Sequence, residues 1–390
     1  MSNGVNQGQS YWRRILGQTF LRWGARVGLV WVAVLALVGV FAPFLASSFP
    51  LLLSQDGVLS SPVLQYLQPV DALFLVGFFT LLVLLPWKFS LGRKMLLFLL
   101  ILGVGALIVY STMSPPKLVI YEEYRLAQSR GDYDWVLNAP IPYSPKDYQR
   151  DRGDTGLEAP LSQARRTHWF GTEQNGADVL SRMIHASRIA LGIGFVATGI
   201  AMVIGVIIGG LMGYFSGVVD ILGMRLVEIF EAVPTLFLLL TFVAFFGRSL
   251  YIMMVIIGIT SWPGFARYVR AEFLRLRKQD FVQAAEAAGL PLTSILFRHM
   301  LPNGMGPVLV AASFGVASAI LAEATLSFLG LGLVDDPSWG EMLNQAVQSS
   351  RFNWWMAAFP GGAIFFTVFA YNLIGESLRD AIDPYLSKSN

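Results

Sequence analysis

Residues 189–213 read IALGIGFVATGIAMVIGVIIGGLMG, twenty-five consecutive residues without a charged side chain. A helix needs about 20 apolar residues to cross the roughly 30 Å hydrocarbon core of a bilayer. The whole chain agrees with this stretch, since 55% of its 390 residues are hydrophobic and only 14% are charged, against about 25% charged residues in ordinary soluble domains. We therefore predict an all-α polytopic membrane protein.

Seven further apolar runs accompany this stretch, so the sequence predicts eight transmembrane helices. These runs cover residues 28–46, 72–87, 95–112, 232–247, 249–266, 306–334 and 356–375. The run at 306–334 contains a single charge, Glu323, and is longer than one straight crossing needs. Part of it is expected to tilt, kink or lie outside the bilayer.

Lys and Arg residues predict the orientation of these helices. With the N-terminus placed inside, sixteen of them lie in the inside segments and two, Arg248 and Arg351, in the short outside segments. Short cytoplasmic segments carry the excess of Lys and Arg, so both termini are expected in the cytoplasm. The first apolar run is too long for the core of a signal peptide and is expected to remain as a helix.

Three parts follow from this pattern. Residues 1–112 hold the first helix and an additional transmembrane hairpin at 72–112. Residues 113–187 are polar and rich in Pro and Tyr. They are expected to form an external insert that is not helical over its whole length. Residues 188–390 form the core, with a cytoplasmic loop at 267–305.

Several kinds of chemistry are excluded or disfavoured. The chain has no Cys, which rules out disulfides, thiolate metal sites and a Cys nucleophile. The pattern G-x-G-x-x-A at 192–197 lies inside an apolar helix with no strand before it, so it cannot cradle a dinucleotide. No phosphate-binding loop occurs, and His168, His185 and His299 have no ligand spacing. We expect no catalysis, metal, cofactor or nucleic-acid binding in this chain.

Four glycines, Gly205, Gly209, Gly213 and Gly217, recur every four residues in the core's first helix. They predict a ridge without side chains that another helix can approach closely. The ridge either packs within one bundle or forms a contact with another subunit. In the second case Gly209→Leu blocks assembly.

Glu323 is the ionisable residue deepest in an apolar run, where a charge costs roughly 2.5 to 3.5 kcal/mol on insertion scales. Such a residue has a structural hydrogen-bond partner or belongs to a transport path, and the sequence does not decide between the two. A secondary transporter would carry several such groups at one depth.

The loop 267–305 contains the most informative motif. Arg267–Lys278 predicts a basic helix that leaves the membrane, and Gln283–Ala288 predicts a short helix of small residues that breaks at Gly289 and Pro291. A membrane-surface helix would need large apolar residues on one face, which the alanine run lacks. The segment is therefore expected to dock into a groove of a cytoplasmic partner.

This segment resembles the EAA signature of ABC-importer permeases, E-A-A-x3-G-x9-I-x-L-P. The matching residues are Gln283, Ala284, Ala285, Gly289, His299, Leu301 and Pro302. Gln283 replaces the signature Glu and His299 replaces its Ile, while Glu286 lies one helical turn further on. The resemblance implies that these residues, together with Glu286, form a coupling helix seated on an ATP-binding subunit.

Four further stretches are similar to the second permease of dipeptide, oligopeptide and nickel importers. They are Trp169–Leu191 with its FGT and SR residues, Leu321–Gly332, Pro337–Leu343 and Asn372–Pro384. The weaker match APIPYSP at 139–145 is similar to the branch linked to microcin uptake. The hairpin at 72–112 does not belong to the usual six-span plan of this family.

The resemblance implies a type I ABC-importer permease of the inner membrane that forms half of a peptide pathway. Its implied partners are a homologous permease, two ATP-binding subunits that hold ATP and Mg, and an external solute-binding protein. A nickel-chelate or other small-solute importer is an alternative. An ion-coupled secondary transporter or a membrane-embedded enzyme is disfavoured because no convergent set of polar groups accompanies Glu323.

Overall fold

The computed structural model describes residues 11–116, 118–153, 155–162, 167–333 and 336–382, apart from the side chains of residues 11–14, 16 and 91. Both chain ends, including Pro384 of the last family motif, lie outside the described residues. The chain divides into two compact units. The first unit is Met1–Val34, Ile189–Asp336 and Gly361–Asn390, and the second unit is Leu35–Arg188 and Pro337–Pro360.

Helices dominate both units. In chain order the elements are α1 (Tyr11–Leu21), α2 (Trp23–Val40), α3 (Ala42–Leu45), β1 (Leu52–Gln55), β2 (Val58–Ser60), α4 (Pro62–Gln65), α5 (Pro69–Leu84), α6 (Leu91–Thr112), α7 (Glu122–Arg130), β3 (Trp135–Leu137), α8 (Val179–Phe215), α9 (Gly217–Ala232), α10 (Thr235–Phe246), α11 (Leu250–Leu276), α12 (Asp280–Ala287), α13 (Leu292–Ser294), α14 (Leu301–Leu326), α15 (Trp339–Gln348) and α16 (Trp354–Ile382). A 3₁₀ turn lies at Arg150–Arg152, and π-helical segments at Ile295–Met300 and Ser327–Leu331 join α13 to α14 and extend α14.

Every predicted apolar run contains a helix, but the helices differ in length. Within the described residues six are long and apolar enough to cross a membrane, and a bent pair, α9 with α10, makes a seventh. The pair bends by 81° because Pro234 follows the extended residue Val233, and a proline disfavours helical backbone in the residue before it. The run at 72–87 forms α5, which has only 16 residues.

The first unit holds a helical core. In it α11 packs against both α10 and α14. Buried side chains from α8, α11 and α14 meet there, including Ile193, Met253 and Leu326, which are fully buried. Glu323 lies on the same helix as Leu326, one turn from the π-helical segment that extends α14. This packing of apolar side chains joins the first half of α8 and the beginning of α11 to the end of α14.

The second unit contains a small sheet that the sequence analysis did not predict. Its strand order is β2-β1-β3, and both pairings are antiparallel. Asp56 and Gly57 close the β1–β2 hairpin with φ angles of 51° and 75°, as a two-residue turn with positive φ at both positions requires. Strand β3, from the predicted insert 113–187, pairs with β1, from the part of the chain before the additional hairpin.

Candidate functional site

Helix α12 is a short, sharply ended helix in the loop that follows α11. Its C-terminal cap is Ala288, after which Gly289 has a φ of +67°. The amide of Gly289 donates to the Glu286 carbonyl at 2.9 Å, and the amide of Leu290 donates to the Ala285 carbonyl at 3.2 Å. These two bonds form a Schellman motif, in which glycine is favoured because other residues rarely adopt positive φ. The helix break at Gly289 is where the sequence predicted it.

One face of α12 is buried against its own chain. Val282 is 0% exposed and Ala285 is 6% exposed. Both belong to a cluster with Phe273 and Leu276 from the end of α11 and Val308 from α14. Ala285, which the signature suggested as a contact to a partner, therefore packs inside this chain. The cluster ties α12 to two long helices.

A neighbouring face of α12 is open. Phe281 is 40% exposed and Leu290, just after the helix, is 38% exposed. Ala284 and Ala288 lie between them at helical spacing and are exposed too. The result is a small apolar face with two large side chains at its ends. Gln283 is also exposed.

Glu286, the alternative contact residue, is exposed on α12. Tyr214, at the end of α8, lies near the Glu286 carboxylate. Tyr214 also packs against the buried cluster that holds Val282 and Ala285. This cluster therefore joins α12 to a third long helix.

The last three signature residues begin the next long helix. His299 lies in the π-helical segment Ile295–Met300, and its carbonyl accepts a hydrogen bond from the Asn303 side chain at 2.7 Å. Leu301 packs against the cluster that holds the buried face of α12. Pro302 stands in the first turn of α14, directly after the π-helical segment, and it has no N–H to donate to the carbonyls of that segment.

Ionic contacts join the helix ends around α12. Arg270 of α11 binds both carboxylate oxygens of Asp220 on α9, with its Nη2 2.6 Å from Asp220 Oδ2. Arg277 donates to the Ser216 hydroxyl, between α8 and α9, at 2.6 Å. Two-pronged Arg–carboxylate pairs fix direction as well as distance. The ends of α8, α9, α11 and α12 are thus connected by the buried cluster and by polar bonds.

The predicted glycine ridge packs within the chain. A Cβ built on Gly205, Gly209 or Gly213 would lie 2.3 to 2.5 Å from an atom of α11, and for Gly209 that atom is the Ala266 carbonyl oxygen. These three glycines let α8 and α11 approach closely. The prediction that Gly217 belongs to this ridge is wrong. Gly217 has a φ of +55° at the start of α9, and no atom lies within 4 Å of its Cβ position. The four-residue repeat continues past the end of the helix.

Glu323 is buried, with 2% of its surface exposed. Its Oε1 accepts a hydrogen bond from the Ser327 hydroxyl at 2.6 Å. This partner lies one turn further along the same helix, at the start of the π-helical segment. Glu323 therefore has a structural hydrogen-bond partner, which is one of the two alternatives that the sequence left open.

A buried ionic group in the second unit was not predicted as a site. Arg182, in the SR motif, lies 2.7 Å from Glu341 Oε2 and 3.4 Å from Glu173 Oε2. Burial raises the pKa of both carboxyls, and the nearby Arg182 charge opposes that rise. The sequence did carry a signal for this group, because Glu173 and Arg182 lie in the family stretch Trp169–Leu191 and Glu341 lies in the stretch Pro337–Leu343.

Two histidines have ordinary structural partners. His168 Nδ1 lies 2.8 Å from Asp178 Oδ1, and the other oxygen of Asp178 accepts from the Ser181 amide at 2.7 Å. His185 Nε2 lies 3.1 Å from the Ala46 carbonyl oxygen. Across the residues that the structure describes, no group of three or more His, Asp and Glu side chains could hold a metal ion.

Known proteins similar to this chain include transport permeases. Residues 205–388 match a family described as "Binding-protein-dependent transport system inner membrane component". The dipeptide transport system permease protein DppC of Alkalihalophilus pseudofirmus is 39% identical over 250 residues, which are 64% of this chain and 81% of that protein. The oligopeptide transport system permease protein OppC of Escherichia coli K12 is 42% identical over 251 residues, which are 64% of this chain and 82% of that protein.

A structure of the MetNI methionine ABC transporter in an inward-facing conformation is also similar. It is 17% identical, covers 52% of this chain and 96% of the matched chain, and has a TM-score of 0.44, which is too low to add to the assignment. The sequence relatives confirm the resemblance to importer permeases that the motifs indicated. The chain belongs to the family of binding-protein-dependent transport system inner membrane components.

Proposed function

We propose that this chain is a permease subunit of an ATP-driven importer of dipeptides or oligopeptides. It forms half of the translocation pathway and transmits motion from an ATP-binding subunit. The similar proteins named as dipeptide and oligopeptide transport permeases support the substrate class. A nickel chelate or another small solute is the alternative substrate.

The observation that carries the proposal is the two-sided packing of α12. Val282 and Ala285 hold it to α11 and α14, while Phe281, Ala284 and Leu290 remain open. A short helix with one anchored face and one open apolar face fits a hydrophobic groove of a partner protein. We assign that partner as the ATP-binding subunit. Gln283 lies on the exposed surface and is the polar contact of this interface.

Motion of α12 would pass to the long helices by rigid contacts. The buried cluster connects it to α11 and α14, and also to α8 through Ala201 and Tyr214. The Arg270–Asp220 pair adds α9. Closure of two ATP-binding subunits would therefore move these helix ends together and change access to the pathway from one side to the other.

The remaining partners and the orientation follow from the same proposal. A homologous permease supplies the other half of the pathway, and a solute-binding protein delivers the solute from outside. The excess of Lys and Arg in the segments that include both termini supports a cytoplasmic N-terminus and C-terminus. ATP and Mg bind to the partner subunits, since the sequence has no phosphate-binding loop. Residues 113–187 help to seat the binding protein.

The test is purification of the tagged chain with its partners, followed by an ATPase assay. Ala284→Arg places a charge on the open apolar face and is expected to remove the ATP-binding subunits from the purified complex. Ala271→Arg is the matched control, because Ala271 is exposed on α11 outside this face. Ala285→Arg is unsuitable, since it would disrupt the buried cluster.

Recovery of a second permease and ATP-binding subunits with wild type and Ala271→Arg, and their loss with Ala284→Arg, supports the proposal. Recovery of a folded wild-type chain alone, without ATPase activity, refutes it and favours a self-sufficient transporter.

A further inference from the structure

A groove of about 230 Å³ lies in the first unit at mid-length of three long helices, α8, α11 and α14. Its lining combines three hydroxyl side chains, Thr198, Ser261 and Ser318, with aromatic side chains and small residues. No Asp, Glu, Lys or Arg lines it. The volume is below the roughly 300 to 1,000 Å³ of pockets that enclose a whole drug-sized ligand, so the groove suits part of an extended molecule.

Thr198 provides an independent sign that a ligand is expected there. It is 6% exposed, and its hydroxyl oxygen has no hydrogen-bond partner. Two other threonines in the long helices satisfy their hydroxyl on the preceding turn: Thr260 donates to the Ile256 carbonyl at 2.9 Å, and Thr325 donates to the Leu321 carbonyl at 2.8 Å. A buried hydroxyl without a partner costs free energy, and Thr198 lines the groove.

The open side of the groove is unsuited to lipid. Ser261, Ser318 and Gly264 are exposed there, and Tyr268 is 56% exposed. In membrane proteins polar side chains at this depth face the protein interior or a water-filled path. A Cβ built on Gly264 would meet no atom within 4 Å, so the absence of a side chain there keeps the groove open and is not required by packing within the chain.

We infer that this groove binds the main chain of the transported peptide during its passage, an inference that rests on the peptide importer function proposed above. Hydroxyls both donate and accept hydrogen bonds, so Thr198, Ser261 and Ser318 can pair with peptide N–H and C=O groups. Peptides of every sequence share these groups. The aromatic and small residues contact peptide side chains without charge selection, which suits a carrier of varied peptides.

Cysteine labelling tests this assignment, because the chain has no Cys of its own. The complete complex with Ser261→Cys is reconstituted in vesicles and given ATP and a tripeptide that carries a bromoacetyl group. Labelling of the Ser261→Cys chain during ATP-driven uptake, with protection by excess tri-alanine, supports the groove. Thr260→Cys is the matched control, since Thr260 is the neighbouring residue and is buried.

Three results overturn the inference. The first is equal labelling of Ser261→Cys and Thr260→Cys, or labelling that excess tri-alanine does not reduce. The second is a cross-link from Ser261→Cys to the second permease, which would make the groove a contact between subunits. The third is labelling by a lipid-soluble maleimide alone, which would place the groove against lipid.

Transport kinetics provide a second measurement. Thr198→Val keeps the side-chain shape and removes the hydroxyl, so tri-alanine uptake at limiting peptide is expected to fall about 3- to 10-fold, the effect of one neutral hydrogen bond. Thr198→Ser is expected to restore it, and Thr260→Val is the control. Unchanged uptake in Thr198→Val, with wild type active, overturns the groove and leaves the proposed function standing. Absence of wild-type uptake refutes both.

Discussion

Substitution of Gly209 by alanine tests the packing that brings α8 against α11. The new Cβ would lie 2.3 Å from the Ala266 carbonyl oxygen and 2.9 Å from the Ala266 Cα, whereas ordinary contacts begin near 3.4 Å. The two helices must therefore separate by about 1 Å at this point. A gap of that size removes a quarter to a half of the dispersion energy of each contact beside it.

Overpacking of this kind costs about 1 to 3 kcal/mol. Gly199→Ala is the control on the same helix, because no atom lies within 4 Å of the Cβ position of Gly199. There the change only improves helix propensity, by up to about 1 kcal/mol. The clash at Gly209 involves main-chain atoms of Ala266, so Ala266→Gly is expected not to rescue the Gly209→Ala variant.

The assay is unfolding of the purified chain in mixed micelles by titration with sodium dodecyl sulfate, followed by tryptophan fluorescence. We expect the apparent free energy of unfolding to fall by about 1 to 3 kcal/mol for Gly209→Ala and not to fall for Gly199→Ala. Wild-type stability of Gly209→Ala, or equal losses in the two variants, would refute the close approach of α8 and α11.

Three other predictions concern the ends of the helices and the second unit. Gly289 has a φ of +67°, so Gly289→Val is expected to destabilise the end of α12 and to lower recovery of ATP-binding subunits. Gly289→Asn is expected to recover more of these subunits than Gly289→Val, because Asn tolerates this conformation. Equal recovery with the two variants would contradict the role of the turn. Asp220→Ala is expected to uncouple ATP hydrolysis from uptake by removing the partner of Arg270, and the swap of both residues is expected to restore part of the coupling, measured as peptide imported per ATP. Burial raises the pKa of Glu173 and Glu341 in the folded state, so the folded chain binds more protons than the unfolded chain. The melting temperature should therefore fall as the pH rises from about 4.5 through the raised pKa of these carboxyls. Glu341→Gln should flatten that slope, and an unchanged slope would assign the pH dependence to other groups.

The long helices and the break after α12 could be predicted from local patterns. Uncharged runs such as 189–213 identify spans because a bilayer demands length and apolarity. Gly289 and Pro291 end α12 by their own backbone preferences. The three-residue spacing of Val282 and Ala285 also indicated that they share a buried face. The family signature instead grouped Ala285 with Ala284 as a contact to the partner.

The three-stranded sheet was missed for a different reason. Its hairpin had a local signal, since Asp56 and Gly57 stand between Leu52–Gln55 and Val58–Ser60, a strong hairpin pattern. Its third strand, Trp135–Leu137, pairs with residues about 80 positions earlier. No local pattern specifies that partner.

The groove could not be predicted at all. Thr198, Ser261 and Ser318 stand on three helices and are separated by more than 50 residues along the chain. Single hydroxyl residues in apolar helices are common, because they can bond to their own backbone. Only the tertiary packing distinguishes Thr198, whose hydroxyl lacks such a bond, from Thr260, whose hydroxyl has one.

The central claim is that the open face of α12 contacts an ATP-binding subunit, and a site-specific cross-link tests it most directly. Gln283→Cys introduces a single thiol on the exposed surface of α12, and Val347→Cys introduces one at a 71% exposed position on α15. In the complete complex a short bifunctional thiol and amine reagent is expected to join the Gln283→Cys chain, and not the Val347→Cys chain, to the ATP-binding subunit. A cross-link from Gln283→Cys only to the second permease, or none while the complex remains assembled, would contradict the claim.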